Sequence, residues 1–281
     1  MNINPNRNNL NFGWSCHTHK VIMDTAIKDM PQFEKYRAQL EHFVQQPDHD
    51  DIGFLANKHF YFGDKTEDVF IRQNENNNQE VSNENKTPTV MDRLRTLGTY
   101  SLGVLNAEKV YKKIMPNVNG ASFMDFNGKN NAKSAYFDHL DKIDIGIEDE
   151  DDDAVIENAA RACHFLQDIT QPQHIQETSA FGKAFDLKIH TDYEKFADNE
   201  AETCAQYFTP EIRNPRSCTQ LFNDNFQDTK DVGKITRKNE PYWDLITQQQ
   251  FNLAVQSTKE FLQNVSDQMG LEYRDMPHDD H

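Results

Sequence analysis

Apolar side chains recur at intervals of three and four residues along most of this chain, and strand-like alternation is scarce. Such intervals place side chains on one face of an α-helix, whereas alternation places them on one face of a strand. The pattern is clear near the N-terminus and over residues 154–167. It is longest near the C-terminus, through Phe251, Val255, Thr258, Leu262 and Val265. It predicts an all-α fold, a single domain of several packed helices.

Prolines and polar segments divide the helical stretches. The first predicted helix begins at His19 and ends at Pro31, and a second runs from Phe33 to Phe43. A third predicted helix covers residues 94–110. It follows the low-complexity segment 72–88, which is predicted to be an exposed loop because it has too few apolar side chains to order itself.

The predicted organisation is one domain with two short flanking pieces. Residues 1–13 are Asn-rich and are predicted to be a flexible extension or propeptide. Residues 14–270 form the domain, and residues 271–281 form a polar tail.

Acidic residues outnumber basic ones by 46 to 29, which gives a formal charge of −17. This charge repels phosphate backbones, so no nucleic-acid partner is expected. The acidic run EDEDDD at 148–153 is interpreted as a solvated charge run or the first turn of a helix, with a Ca²⁺ site as the alternative. No run of 18 apolar residues is present, so no transmembrane segment is predicted.

The four cysteines form no CxxC pair, which excludes a thiolate zinc knuckle and a thioredoxin-type motif. Cys204 and Cys218 are close enough in sequence to close a short disulfide loop, although free buried cysteines are an equal alternative. Cys16 and Cys163 neighbour histidines but are expected to pack rather than to bind metal.

The stretch HFLQDITQPQH, residues 164–174, concentrates metal-binding side chains. His164 and Asp168 are four residues apart on a predicted helix and therefore share a face. A proline ends that helix, so that His174 can turn back towards them. His190 and Glu194 repeat the spacing of four. Imidazoles and carboxylates without thiolates favour a hydrolytic zinc site that keeps a position open for water.

HFLQDITQPQH, followed by HTDYEKFAD, resembles the signature of the bacterial zinc-dependent phospholipase C family, whose relatives include the S1/P1 nucleases. Members of both groups have an all-α fold around a trinuclear zinc cluster. The resemblance therefore implies three Zn²⁺ ions as cofactors. The ligands that it implies in this stretch are His164, Asp168, His174, His190 and Glu194, with Asp168 bridging two ions.

The segment WSCHTHKVIMDTAI is similar to the N-terminal helix of that family and implies Trp14 and His19 as ligands, with His17 as an alternative. Family members expose the α-amine of this tryptophan by cleaving a precursor, whereas thirteen residues precede Trp14 here. An amide nitrogen is a poor ligand, so a mature form that begins at Trp14 is predicted. Intact-mass measurement of the native protein tests this.

The segment PDHDDIGFLANKHFYFGD resembles the family segment that supplies an aspartate and a histidine. It implies His59 and Asp48 as ligands, with Asp51 and Asp50 as alternatives to Asp48. In choline-preferring relatives, aromatic residues beside these ligands contact the quaternary ammonium. The candidates for that substrate-binding role here are Phe60 and Tyr61.

The activity implied is phospholipase C: hydrolysis of a glycerophospholipid to diacylglycerol and a phosphorylated headgroup, with Asp48 orienting or deprotonating the attacking water. The partner would be phospholipid at a membrane surface, and the protein is expected to be a monomer that is secreted or exported. Two alternatives remain. One is an S1/P1-type single-strand nuclease, although that group usually has HxxWD where this chain has HTDYE. The other is a non-enzymatic helical binding or effector protein.

Overall fold

The computed structural model describes residues 14–51, 58–61, 131–175, 183–208 and 216–271, with only the backbone described over 183–188. These ranges contain α-helices and short 3-10 turns and no β-strand, which confirms the all-α prediction. The predictions for residues 1–13, the loop 72–88, the helix 94–110 and the tail beyond residue 271 lie outside the described residues.

The N-terminal part contains three helices. Helix α1 spans Cys16–Ile27 and begins after Ser15, whose hydroxyl accepts a hydrogen bond from the Thr18 amide at 3.1 Å. The second predicted helix divides into a 3-10 turn, Pro31–Tyr36, and helix α2, Arg37–Phe43. Helix α3, Gln46–Asp50, was not predicted; it begins next to Pro47, a residue suited to the first turn of a helix.

The central part is a helical hairpin. Helix α4 spans Ala132–Glu148, and helix α5 spans Asp152–Asp168. The Asp151 carboxylate caps α5 by accepting a hydrogen bond from the Ala154 amide at 3.0 Å. This confirms the helix-terminus interpretation of the acidic run, because negative charge is stabilised at the positive end of the helix dipole.

The C-terminal part follows a 3-10 turn at Pro172–His174. It consists of α6, Lys183–Gln206, α7, Cys218–Val232, and α8, Trp243–Met269. Helix α8 contains the apolar series predicted near the C-terminus and ends at Gly270, whose φ of 64° is left-handed.

Helix α5 is central to the packing. It contacts α2, α3, α4, α7 and α8, and every side chain from Ala162 to Asp168 is buried. Cys163 packs in this core, as predicted. All four cysteines are free, so the alternative of a Cys204–Cys218 disulfide is not observed. Because α5 is central, His164 and Asp168, whose side chains are of types that can bind a metal, lie in the interior of the protein.

Candidate metal centre

The Asp168 carboxylate at the end of α5 is fully buried and faces four imidazoles. Its Oδ2 atom lies 2.8 Å from His59 Nδ1 and 3.2 Å from His164 Nε2. Its Oδ1 atom lies 3.4 Å from His19 Nε2 and 3.6 Å from His174 Nδ1. One carboxylate with a different set of neighbours at each oxygen has the arrangement needed to bridge two cations.

Three groups of three side chains offer ligand atoms that lie within 4.8 Å of one another. The three groups, which share only His164, are His19–His164–Asp168, Asp48–His59–His164 and His174–His190–Glu194. The fold thus brings together all eight side chains that the sequence predicted as ligands. They come from α1, α3, α5, α6, the 3-10 turn at residue 172 and residues 58–61.

Hydrogen bonds orient three of the imidazoles. Their Nδ1 atoms each donate to a protein oxygen: His19 to Gln167 Oε1 (2.7 Å), His164 to the Val44 carbonyl (2.8 Å) and His174 to the His59 carbonyl (2.6 Å). A carbonyl oxygen only accepts, so the proton is on Nδ1 and the lone pair is on Nε2. This arrangement is typical of histidines that bind a metal through Nε2.

Several polar atoms of the centre are buried without a hydrogen-bond partner. They are the Nε2 atoms of His19, His174 and His190 and the Oδ1 atom of Asp168. His190 Nε2 lies 2.7 Å from Glu194 Oε1 but outside hydrogen-bonding geometry. Unpaired buried polar atoms are costly. A bound cation would supply the missing partner, and imidazole with carboxylate is a donor set that zinc accepts, so these residues fit zinc.

The electrostatics of the centre shift the pKa values of its carboxylate and imidazoles in different directions. Burial would raise the pKa of Asp168, but the facing imidazoles of His164, His59 and His174 hold that pKa well below its usual value. Burial, together with His19, lowers the pKa of His164, and burial lowers the pKa of His174 well below its usual value. An ionised carboxylate and neutral imidazoles are the metal-binding forms, and these three groups favour them. Burial would also lower the pKa values of His19 and His59, but the facing Asp168 carboxylate raises both above the usual value.

Of the three candidate aspartates after α2, only Asp48 faces the centre. Its side chain is 2% exposed, and Oδ1 lies 3.8 Å from His164 Nε2 and 3.9 Å from His59 Nδ1. The two alternatives each pair with a cation: Asp50 Oδ2 with Arg161 Nη1 (2.8 Å) and Asp51 Oδ1 with Lys58 Nζ (2.8 Å). The geometry therefore favours Asp48 among the three.

At the N-terminal side, His19 is buried in the centre whereas the alternative, His17, is half exposed and lies 3.8 Å from Glu202. The buried Trp14 indole donates to the Gln167 carbonyl at 3.0 Å and to Thr170 Oγ1 at 3.1 Å. These bonds hold the side chain of Trp14 beside the residue that precedes Asp168. A backbone role for Trp14 in binding zinc stays a prediction.

The two aromatic residues after His59 differ. The Phe60 ring stacks on His174, with centroids 4.6 Å apart, and therefore lies beside the candidate metal centre. Tyr61 is only 4% exposed and packs against Phe222 and Phe226. The Tyr61 ring therefore packs in the core, and its predicted contact with substrate stays a prediction.

Two supporting residues were not predicted. Gln167 holds His19, and its own amide is fixed by donating to Thr258 Oγ1 at 3.0 Å. The Cys16 thiol, expected only to pack, donates to Asp48 Oδ2 at 3.4 Å. Burial and the Asp48 charge raise the pKa of Cys16 to about 12, so the thiol keeps its proton. In the sequence, the only indication of a supporting role was that both residues lie close to proposed ligands.

Comparison with known proteins supports the fold. No protein-family model and no curated protein match the sequence. Three chains of solved structures match. One is the alpha toxin from Clostridium absonum, at 12% identity and a TM-score of 0.54; the match covers 96% of this chain and 67% of that chain. At this identity the likeness shows a shared fold alone. Among the described residues, no helix has the length and apolar character needed to cross a membrane.

Proposed function

We propose that this protein is a zinc-dependent phosphodiester hydrolase that cleaves glycerophospholipids to diacylglycerol and a phosphorylated headgroup. The observation that carries the proposal is the gathering of eight imidazole and carboxylate side chains, buried Asp168 among them, into three groups of close ligand atoms, four of which have no hydrogen-bond partner. The phospholipase C form of the motif, HTDYE, and the similarity to a toxin fold support it further.

The three groups of donors would hold three ions, and Asp168 would bridge two of them. His164 Nε2 belongs to two groups, but one lone pair binds one ion. If His164 serves the group of Asp48, the group of His19 keeps only two side-chain ligands. A further donor is then needed there, which the α-amine of Trp14 would supply after cleavage of residues 1–13.

Zinc bound at this centre would polarise the phosphate oxygens and lower the pKa of a water molecule. The protein's own residues would orient the reaction. Asp48 Oδ1 faces the centre while the Cys16 thiol holds Oδ2, so Oδ1 is the oxygen available to orient the water and accept its proton. The Phe60 ring, stacked on His174, would provide an apolar wall for the substrate headgroup.

The test is hydrolysis of short-chain phosphatidylcholine and of single-stranded DNA by the zinc-loaded protein, assayed in parallel. We expect turnover of the lipid. Turnover of DNA alone would replace the proposal with the nuclease alternative, and turnover of neither would favour a non-enzymatic binding protein.

Replacement of Asp168 by Asn keeps the size of the side chain but removes the charge that faces four imidazoles. We expect the Asp168→Asn variant to lose bound zinc and lipid hydrolysis together, whereas Asp50→Asn, in a residue paired with Arg161 instead, retains both. Full zinc occupancy and turnover in Asp168→Asn would refute the assignment.

The N-terminal prediction has its own test. A chain that begins at Trp14 is expected to bind one more zinc ion tightly than a chain that retains residues 1–13, as measured by titration with a zinc-sensitive chelator. Equal stoichiometry would remove the Trp14 α-amine from the list of ligands.

A further inference from the structure

Four large apolar side chains are strongly exposed in the described part of the protein: Ile145 (56%), Tyr207 (77%), Tyr242 (62%) and Leu245 (65%). Tyr242 is the N-cap of α8 and Leu245 lies in its first turn, three residues later, a spacing that favours the same side of the helix start. Trp243 between them is buried. Tyr242 and Leu245 therefore form a small apolar ridge, whereas Ile145 and Tyr207 are each more than 30 positions from the other three in sequence.

Local charge separates the ridge from the other two positions. Residues 230–245, which lead to the ridge, contain four bases and three acids. The equally long stretch around Ile145, residues 138–153, contains nine acids and one base, and residues 192–207, which end at Tyr207, contain five acids and one base. In a chain with a charge of −17, the ridge is thus an exposed apolar site where the negative charge is locally cancelled.

The ridge also adjoins the candidate metal centre. Its buried neighbour Trp243 packs edge-on against Tyr193, with centroids 5.4 Å apart. Arg237, in the 3-10 turn before α8, forms an ion pair with Asp192. Asp192 and Tyr193 lie between His190 and Glu194, two of the proposed ligands. The ridge is therefore fixed to the segment of α6 that presents these ligands.

We propose that the Tyr242–Leu245 ridge docks the protein on the surface of zwitterionic phospholipid and so brings the metal centre to its substrate. This inference rests on the proposed function. Tyrosine is well suited to the lipid–water boundary because its ring is apolar and its hydroxyl stays hydrated, and the leucine adds apolar area. A near-neutral site matches a neutral headgroup layer, whereas the overall charge repels an anionic surface.

The experiment measures cosedimentation of the full-length, zinc-loaded protein with phosphatidylcholine vesicles, in the cold to slow turnover. We expect a Tyr242→Ser/Leu245→Ser double variant to partition about tenfold more weakly than wild type, since two apolar side chains lose their burial. The matched control is Ile145→Ser/Tyr207→Ser, which removes as many exposed apolar groups from acidic surroundings. It should partition like wild type.

Three results would overturn the docking proposal: no partition of the wild type, equal partition of the wild type and the ridge variant, or an equal loss in the control. Replacing part of the phosphatidylcholine with phosphatidylserine at low salt should weaken partition, and stronger partition would contradict the proposed neutral surface. Hydrolysis of monomeric phosphatidylcholine by the zinc-loaded chain that begins at Trp14 is measured in a separate assay. Its absence, with partition retained, would refute the proposed function while supporting the docking.

Discussion

At the scale of single residues, the centre depends on the oxygens that orient its imidazoles. Gln167 makes three hydrogen bonds that support the centre. Its side-chain oxygen accepts from His19, its amide nitrogen donates to Thr258, and its carbonyl accepts from Trp14. One residue of α5 thereby fixes the two N-terminal positions proposed to bind zinc.

Removal of this orienting oxygen should weaken metal binding. Loss of a hydrogen-bond partner that orients a metal-binding histidine typically lowers metal affinity by about 10- to 100-fold. We expect a loss of that size in Gln167→Leu, measured by competition with a zinc chelator. Gln227→Leu, at an exposed position of α7, is the control and should bind zinc like wild type. Undiminished affinity in Gln167→Leu would show that His19 does not depend on this bond.

The residue types of the centre were predictable, but their supporting contacts were not. Spacings of four identified His164 with Asp168 and His190 with Glu194, because one helical turn places such pairs together. The acceptors for His164 and His174 are the backbone carbonyls of Val44 and His59. Every residue has a backbone carbonyl, so the sequence does not indicate which one will accept a bond from a histidine. The choice of Asp48 over its neighbours likewise required the positions of Arg161 and Lys58.

A second residue-scale prediction concerns pH. His139 on α4 donates to Asn158 on α5 at 2.9 Å, and burial lowers the pKa of His139 to about 4. The unfolded chain, with a histidine pKa near 6.5, binds more protons between these two values. The contribution of neutral His139 to stability is therefore complete above pH 6.5 and is lost progressively as the pH falls towards 4.

We expect His139→Gln to reduce the dependence of the unfolding free energy on pH in this window, as measured by urea titration at several pH values. Exposed His42→Gln is the control and should follow the wild type. An unaltered slope in His139→Gln would contradict the assignment.

At the scale of elements, the α4–α5 hairpin supports the centre, and its closest approach is at Gly146. A Cβ atom at this position would lie 2.8 Å from Val155 Cγ2 and 3.3 Å from the Val155 amide nitrogen. Valine in a helix has little rotamer freedom, so it cannot move aside. The absence of a side chain at residue 146 thus lets α4 reach the first turns of α5.

Gly146→Ala tests this close approach. Alanine gains about 1 kcal/mol of helix propensity over glycine. Overpacking costs about 1–3 kcal/mol. We expect a net loss of stability of about 1 kcal/mol in denaturant unfolding, because the clash outweighs the propensity. In a Val155→Ala background, which removes the nearest methyl group, Gly146→Ala should instead be neutral or stabilising. A stabilising effect in the wild-type background would show that no clash exists.

Elements with strong apolar periodicity were predicted, and those with weak periodicity were not. Helices α1, α5 and α8 bury a regular stripe and agree with the sequence pattern. Helices α4 and α7 were missed, since each presents much polar surface. Their capping boxes, Asn131 with Ser134 and Ser217 with Gln220, were the usable signals.

At the scale of the whole molecule, the fold gathers imidazoles and carboxylates from distant parts of the chain near one buried carboxylate, Asp168. His19 and His190 are 171 positions apart in sequence, yet both belong to donor groups beside α5. Sequence patterns predict each helix but not the distances between helices, which depend on the packing of α8 against α1, α5 and α6. The structure therefore adds what the sequence could not provide: unpaired ligand atoms gathered at a single interior site.

The zinc content of the purified, folded protein tests the account most directly. After dialysis against zinc and removal of the excess, a chain that begins at Trp14 should contain about three zinc ions, one for each donor group. A folded, helical sample that retains no zinc would contradict the account, because the buried imidazoles and carboxylates would then not form a metal centre.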